Sequence, residues 1–558
     1  MFLNNKEFTP KLFETLGGGY KKEDFFADAL SGLTVAIVAL PLAMAIAIAS
    51  DVPPSAGIFT AIVAGFFISA FGGSRYQIGG PTAAFAVTVA TVISKHGYDG
   101  LVLATFMAGV MLIIFGLLRG GAVIKFIPYP VLTGFTSAIA LLIFFTQLKD
   151  FFGLQISSVP PDFIGRLEAY IEHLGTFNPY SVLLGLASIA VIVFFQKKFH
   201  KIPGPLIVVI VGTFAVWAFN LPVETIEARF GSLPSFLPAP SLPSFSLQKM
   251  QAVLPDAITI AVLAGVESLL SAVIADSMSG DKHKSNTELI AQGGANIASV
   301  VFGGIAATGA IARTATNIKS GAKSPLSGVF HALWLAVFMA LLAPLIVKTP
   351  LAVLSAILMV IAWNMSEIKH FKSIFKAPRS DIAVLLTTFI LTVTVDLNFA
   401  IQAGISLASI LFIAKITEAT EVKVSLPDGY DKDATSNKTI PDGVEVFEIT
   451  GPIFFGIADK IKETLDIVKD RPKVLILRMR YVSVLDATGI HAIEELLGKL
   501  QKEGTSLVLS GVKENIKKAL DKSGLTDGIS EANIASNIDD AIVRSAEIIG
   551  EKALFCPL

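Results

Sequence analysis

Apolar runs of spanning length fill most of the chain and give way to short alternating runs in its last quarter. The runs begin near Asp28 and recur at roughly 54–72, 82–94, 100–118, 128–148, 179–196, 204–221, 256–275, 287–303, 310–318, 326–347, 350–364, 380–395 and 397–414. This predicts an α-helical polytopic membrane protein with about 14 transmembrane segments, several too short to cross a ~30 Å hydrocarbon core alone. Two stretches rich in glycine interrupt the pattern. One is Phe71-Gly72-Gly73-Ser74-Arg75-Tyr76-Gln77-Ile78-Gly79-Gly80-Pro81-Thr82; the other, opening on the same Phe-Gly-Gly 231 residues later, runs from Phe302 to Arg313. Non-helical backbone at membrane depth is tolerated only where protein buries it or where it lines a cavity.

The short runs that follow the interruptions, from Pro81 and from Gly309, read as half-helices starting near the membrane midplane. Proline suits a first helical turn, where a missing N–H costs nothing. The halves also align outside the interruptions, since Asp28 opens the first segment and Asp256 the eighth, 228 residues on. Each half has an odd number of segments, so the second is inserted upside down relative to the first, a 7+7 inverted repeat with matching interruptions at the binding site.

After residue 414 the composition changes. A polar connector at 417–443 contains two Pro-Asp-Gly turns, at Pro427 and Pro441. Short β-rich runs at 444–449, 474–479 and 506–509 then alternate with helical stretches at 458–468, 488–501, 513–522 and 539–549. The expected organisation is an N-terminal segment 1–27, a transporter domain 28–416 (repeats at about 28–222 and 255–416), a linker 417–443 and an α/β domain 444–558.

Charge orients the chain. The basic loops at 119–125, 197–201, 282–284, 319–323 and 369–379 all fall on the side of both termini, which the positive-inside rule makes cytoplasmic. The intervening loops at 149–178 and 221–255 are less basic. The N-terminus lacks the features of a signal peptide. The single cysteine, Cys556, gives no disulfide framework or cysteine metal cluster, and the seven histidines form no metal-binding pair. A net charge of -1 gives no argument for nucleic-acid binding. No cofactor motif and no catalytic triad appears in the α/β tail, so no enzyme is expected.

The chemistry lies in the interrupted region. Glu267 stands in the middle of an apolar run, with Ser271 four residues on and so on the same helical face. An ionisable group there costs about 2.5–3.5 kcal/mol on insertion scales, so the default reading is functional; the bland one is a permanent structural pair with Arg313. Two half-helix N-termini aimed at one point present about +0.5 charge each and free N–H donors. They call for an anion, with Thr82 adding a hydroxyl and Ala83, Ala84, Gly309 and Ala310 letting it approach the backbone; the bland reading of the small residues is close helix packing. An anion about 5 Å from Glu267 at an effective dielectric of about 20 repels the carboxylate by roughly 3 kcal/mol. Anion binding and protonation of Glu267 would then favour each other, the logic of proton–anion symport. Elsewhere, Asn286 and Glu288 read as a helix start and Trp363 as an interfacial helix end. In the tail, Asp486 or Thr488 would cap a helix, Thr488 alternatively being an exposed regulatory hydroxyl.

Taken together, Gly72-Gly73-Ser74-Arg75, Gly80-Pro81-Thr82-Ala83-Ala84-Phe85, Glu267, Asn286-Thr287-Glu288-Leu289, Phe302-Gly303-Gly304 with Ala312-Arg313, and Asp486-Ala487-Thr488-Gly489 resemble the SulP (SLC26) anion permeases with their C-terminal STAS domain. The resemblance implies core and gate subdomains, elevator-like alternating access, a homodimer, and substrate held between the third and tenth helices. It nominates Thr82, Ala83, Ala84, Ser271, Gly309, Ala310, Ile311 and Arg313 for substrate, Glu267 for the proton, and Leu42 and Ile46 on the first helix. Many members have glutamine where this chain has Leu42. Lys282-His283-Lys284 and Ala362-Trp363-Asn364-Met365-Ser366-Glu367 look most like the bacterial C4-dicarboxylate branch (succinate, fumarate, aspartate). Sodium-coupled bicarbonate or proton-coupled sulfate transport is the alternative within the family; an anion channel, or a sensor signalling through STAS, is the alternative outside it. The expected setting is the inner membrane of a bacterium, with the proton as coupling ion and sodium as the other candidate, no cofactor or metal, and a protein partner for STAS residues Asp486 and Thr488.

Overall fold

The computed structural model describes residues 6–122, 128–156, 159–160, 162–198, 203–395, 397–419, 421–424, 440–454 and 472–550. It divides into two compact units, at Ala408 and Ser409.

The first unit is helical. Its main elements are α1 (Lys22–Ala49), α2 (Pro54–Phe71), β1 (Gly79–Gly80), α3 (Ala83–Leu117), α4 (Tyr129–Thr146), α5 (Pro179–Lys198), α6 (Gly204–Phe219), α7 (Leu247–Ser279), α8 (Ser285–Val301), β2 (Thr308–Gly309), α9 (Ile311–Lys319), α10 (Leu326–Ile346), α11 (Leu351–Met365), α12 (Arg379–Thr394) and α13 (Leu397–Ala419), the last running into the second unit. Among the described residues, nine helices are long and apolar enough to cross a membrane. The other expected segments are helical but shorter, or, in α3, share one element. There Gly97, at φ 69°, separates a half-helix of 83–96 from the helix that follows. Helix α1 starts six residues before Asp28, because Glu23 and Asp24 in its first turn suit the positive end of the helix.

The two interruptions meet. β1 and β2 form a two-residue antiparallel pair in which Gly79 lies opposite Gly309 and Gly80 opposite Thr308. The amide of Ala310 donates to the carbonyl of Ile78 at 2.8 Å. Gly80 takes φ 147°, open to glycine, and a Cβ there would collide with Arg313 Nη1.

The aspartates that open the two halves cross over to one another's half-helix. Asp28, fully buried, accepts from the amides of Lys323 and Ser324 at 2.6 and 3.0 Å, just beyond the far end of α9, and from Tyr20 Oη at 2.8 Å. Burial and this carboxylate hold the Tyr20 phenol above its ordinary range. Asp256 lies 3.2 Å from Nε2 of His96, at the far end of the half-helix in α3. The two aspartates, 228 residues apart, thus each sit near the far end of the half-helix of the other half, one through main-chain amides and one through a histidine ring.

The second unit is an α/β domain. Its sheet has the order β3 (Glu421–Val424), β4 (Val444–Thr450), β5 (Val474–Tyr481), β6 (Ser506–Ser510), β7 (Ile534–Ala535). β4 to β7 are parallel and β3 is antiparallel to β4. Helices α14 (Ala487–Glu503), α15 (Glu514–Ser523) and α16 (Ile538–Ile549) match the expected stretches, while the one expected at 458–468 lies outside the described residues. The stretch read as a connector at 417–443 contains the end of α13 and the edge strand β3. Four residues of Glu-Val-Lys-Val are too few to stand out as a strand until β4 supplies the partner.

Candidate functional site

The site is built around Pro81 and Thr82, where β1 gives way to α3. Thr82 Oγ1 donates to Glu267 Oε2 at 3.0 Å, and Arg313 Nη2 donates to the carbonyl of Pro81 at 2.5 Å. Arg313 is only 2% exposed, and its Nε and Nη1 have no hydrogen-bond partner among the described residues. No ion pair joins Glu267 to Arg313, so the permanent structural pair weighed from the sequence is not formed.

Neither half-helix start carries a side-chain cap. Thr82 occupies the cap position of α3 but spends its hydroxyl on Glu267, and Ala310 caps α9 with no polar side chain at all. The first-turn N–H groups at Ala83 and Ala84, and at Ile311 and Ala312, thus lack the usual internal acceptors. Ala83, Ala84 and Ala310 are buried and Ile311 is half-buried.

The remaining nominated residues are less central. Ser271 does share a face with Glu267, but it is fully buried and its hydroxyl donates to Thr314 on α9 at 3.3 Å, packing α7 against α9. Leu42 and Ile46 lie on α1, which contacts both α3 and α9; both belong to its apolar packing. Of the two residues read as possible caps, Asp486 accepts from the amide of Gly489 at 2.7 Å and caps α14, and Thr488 is exposed.

Several residues that hold the site were missed from the sequence. Ser268, next to Glu267, accepts from the amide of Gly309 at 3.0 Å and lies 2.6 Å from Thr308 Oγ1. On α8, Glu288 stands in the first turn, as the helix start read from the sequence requires, and accepts from the amides of Gly73 and Ser74 at 2.8 and 3.1 Å; Asn286 does not cap the helix but accepts from the amide of Gly121. Gln292 donates to Glu288 at 2.9 Å, and Asn296 binds Ala307. Their signal was a polar residue every fourth position in an otherwise small-residue helix, which places all three on one face. His331 is fully buried with neither ring nitrogen hydrogen-bonded among the described residues. A separate cavity of about 400 Å³, lined by Lys149, Asp150, Glu224 and Arg229 among others, lies elsewhere and contains none of the nominated residues. Among the described residues no group of side chains is suited to a metal ion.

An uncapped pair of half-helices, a buried arginine with spare donors and a nearby carboxylate in a helical membrane protein define an anion transporter. A model of the sulfate permease family matches residues 25–388, and one of the STAS domain matches 435–541. The chain belongs to the sulfate permease family, whose members are transporters rather than enzymes. It is 40% identical over 94% of its length to YvdB of Bacillus subtilis, provisionally named a sulfate transporter, 98% of which is covered. It is 31% identical, over 89% of its length and 90% of the relative's, to the bicarbonate transporter BicA of Picosynechococcus. The fold also resembles murine Slc26a9 in its inward-facing state, at a TM-score of 0.86 with 19% identity, covering 96% of this chain and 94% of the other. The transmembrane domain of a cyanobacterial BicA superposes at a TM-score of 0.62 with 31% identity, covering 70% of this chain and 98% of that domain.

Proposed function

We propose that this protein is a proton-coupled anion symporter whose substrate binds between the N-termini of α3 and α9, with Glu267 carrying the proton. The observation that supports it is the state of Arg313: a buried guanidinium with two unused donor atoms and no carboxylate paired to it. A buried cation left in that condition costs several kcal/mol unless an anion neutralises it. Glu267 is hydrogen-bonded to Thr82, so an anion at the half-helix starts would repel its carboxylate and favour protonation. Thr82, Ala83, Ala84, Gly309, Ala310, Ile311 and Arg313 would form the binding surface, with Leu42, Ile46 and Ser271 shaping it from behind.

The substrate class is a small oxyanion or the carboxylate end of a C4-dicarboxylate. The dicarboxylate reading rests on Lys282-His283-Lys284 and residues 362–367. The names carried by YvdB and BicA support sulfate and bicarbonate, the latter with sodium as the other candidate coupling ion. The working form is a homodimer in a bacterial inner membrane, with fourteen crossings, cytoplasmic termini and elevator-like exposure of the site to each side. The STAS domain would be regulatory, acting through Thr488 and a cytoplasmic partner.

Uptake of labelled succinate, fumarate, aspartate, bicarbonate and sulfate into proteoliposomes, under a proton gradient, a sodium gradient or neither, tests this. Proton-driven uptake of one of these anions supports the reading. Sodium-driven uptake indifferent to pH overturns the role given to Glu267, and a conductance that never accumulates anion against its gradient makes the protein a channel.

A further inference from the structure

The segment that leads into β2 is gripped from two directions. On one side is Ser268, bonded to Thr308 and Gly309 as described above. On the other is Asn296, fully buried in α8, whose amide takes the place of a neighbouring strand: Oδ1 accepts from the amide of Ala307 at 2.9 Å, and Nδ2 donates to the carbonyl of the same residue at 2.8 Å. Nδ2 also donates to the carbonyl of Gln292 at 2.8 Å, which fixes which way the side-chain amide faces. Ala307 is itself fully buried. Removing the Asn296 amide leaves two buried main-chain groups unpaired, and the segment must shift to satisfy them.

The next residue, Thr308, is the one paired with Gly80, and Gly80 packs against Arg313. Any shift at Ala307 therefore reaches the pairing of β1 with β2, and with it the gap between the starts of α3 and α9. We propose that Asn296 is a positioning residue that sets this gap, and through it decides which size of anion is accepted. Asn296 itself is bonded to Gln292 and Ala307 and to neither half-helix start. The inference rests on the half-helix starts being the anion site.

The test uses full-length protein in proteoliposomes, comparing wild type with Asn296→Ala, Ser268→Ala and Arg313→Gln for uptake of bicarbonate, sulfate and succinate. The readout is KM together with the ratio of kcat/KM between the best and next-best anion, which does not depend on how much protein has folded. Asn296→Ala is expected to raise KM for the best anion by about ten-fold, since misplacement by a fraction of an ångström is costly in a preformed site. The preference ratio should fall by about three-fold or more as the gap loses definition. Ser268→Ala releases the same segment from its other side and should lower the ratio likewise; it carries the test if the Asn296 variant does not fold. An unchanged KM and ratio in the folded variant, with uptake lost in Arg313→Gln, overturns the positioning role and leaves the site standing. Wild-type uptake in Arg313→Gln overturns the site itself.

Discussion

Glu267 and Arg313 face the same dipeptide without touching: the carboxylate takes the hydroxyl of Thr82 and the guanidinium takes the carbonyl of Pro81. The two opposite charges of the core are thus kept apart by neutral groups of the first interruption. In the proposed mechanism, Glu267 takes the proton and Arg313 the anion.

Glu267→Gln should keep the hydrogen bond to Thr82 in a neutral form while removing the titrating group. Anion exchange between equal pools is expected to continue, and accumulation driven by an inward proton gradient to disappear. Counterflow and pH-jump uptake measured on one preparation check this; full proton-driven accumulation in the variant contradicts the assignment.

Arg313→Lys retains the positive charge but not the planar fork that reaches Pro81 and still presents Nε and Nη1. Loss of this geometry should raise the anion KM by about ten-fold, equivalent to about 1.4 kcal/mol. Saturation kinetics with the best anion provide the measurement, and an unaltered KM would mean that charge alone suffices.

The glycines separate into those the site needs and those it does not. Gly80→Ala drives a methyl into Arg313 Nη1 at φ 147°, so uptake should be lost. Gly294 in α8 faces open space, with nothing within 4 Å of where a methyl would stand. Gly294→Ala should leave uptake intact while stabilising the helix by about 0.5–1 kcal/mol. Thermal unfolding in detergent beside an uptake assay distinguishes them.

Asp486→Ala removes the cap of α14 and is expected to cost the domain about 1 kcal/mol. Faster amide hydrogen exchange across 487–503 in the full-length protein, without a change at residues 83–96, is the expected signature. Equal exchange in both proteins would show that the Gly489 amide is satisfied another way.

Much of this was legible in the chain. The apolar runs gave the helices because each must satisfy its own backbone in lipid, and the glycine interruptions stood out against them. Thr82, Glu267 and Arg313 were conspicuous as polar residues at apolar depth. Ser268 and Asn296 were not, because their importance lies in bonds to main-chain groups about 10 to 40 residues away, and no local pattern announces such a partner. The bond from the Ser271 hydroxyl to Thr314 was equally hidden, because sharing a helical face with Glu267 says nothing about a partner on another helix. β3 was hidden because an edge strand of four residues owes its conformation to β4.

The pairing of Gly79 with Gly309 and of Gly80 with Thr308 joins the two half-helix starts by main-chain contacts. Opening the cradle by drawing those starts apart would break that join, so an ion must enter and leave by a route other than its own floor. If the join persists as the site is exposed to each side, the floor would keep the same intrinsic grip whichever compartment it faces. On the proposed symport reading, the direction of net movement would be dictated by the concentrations of ion and proton on the two sides, and reversing those gradients should run the protein backwards.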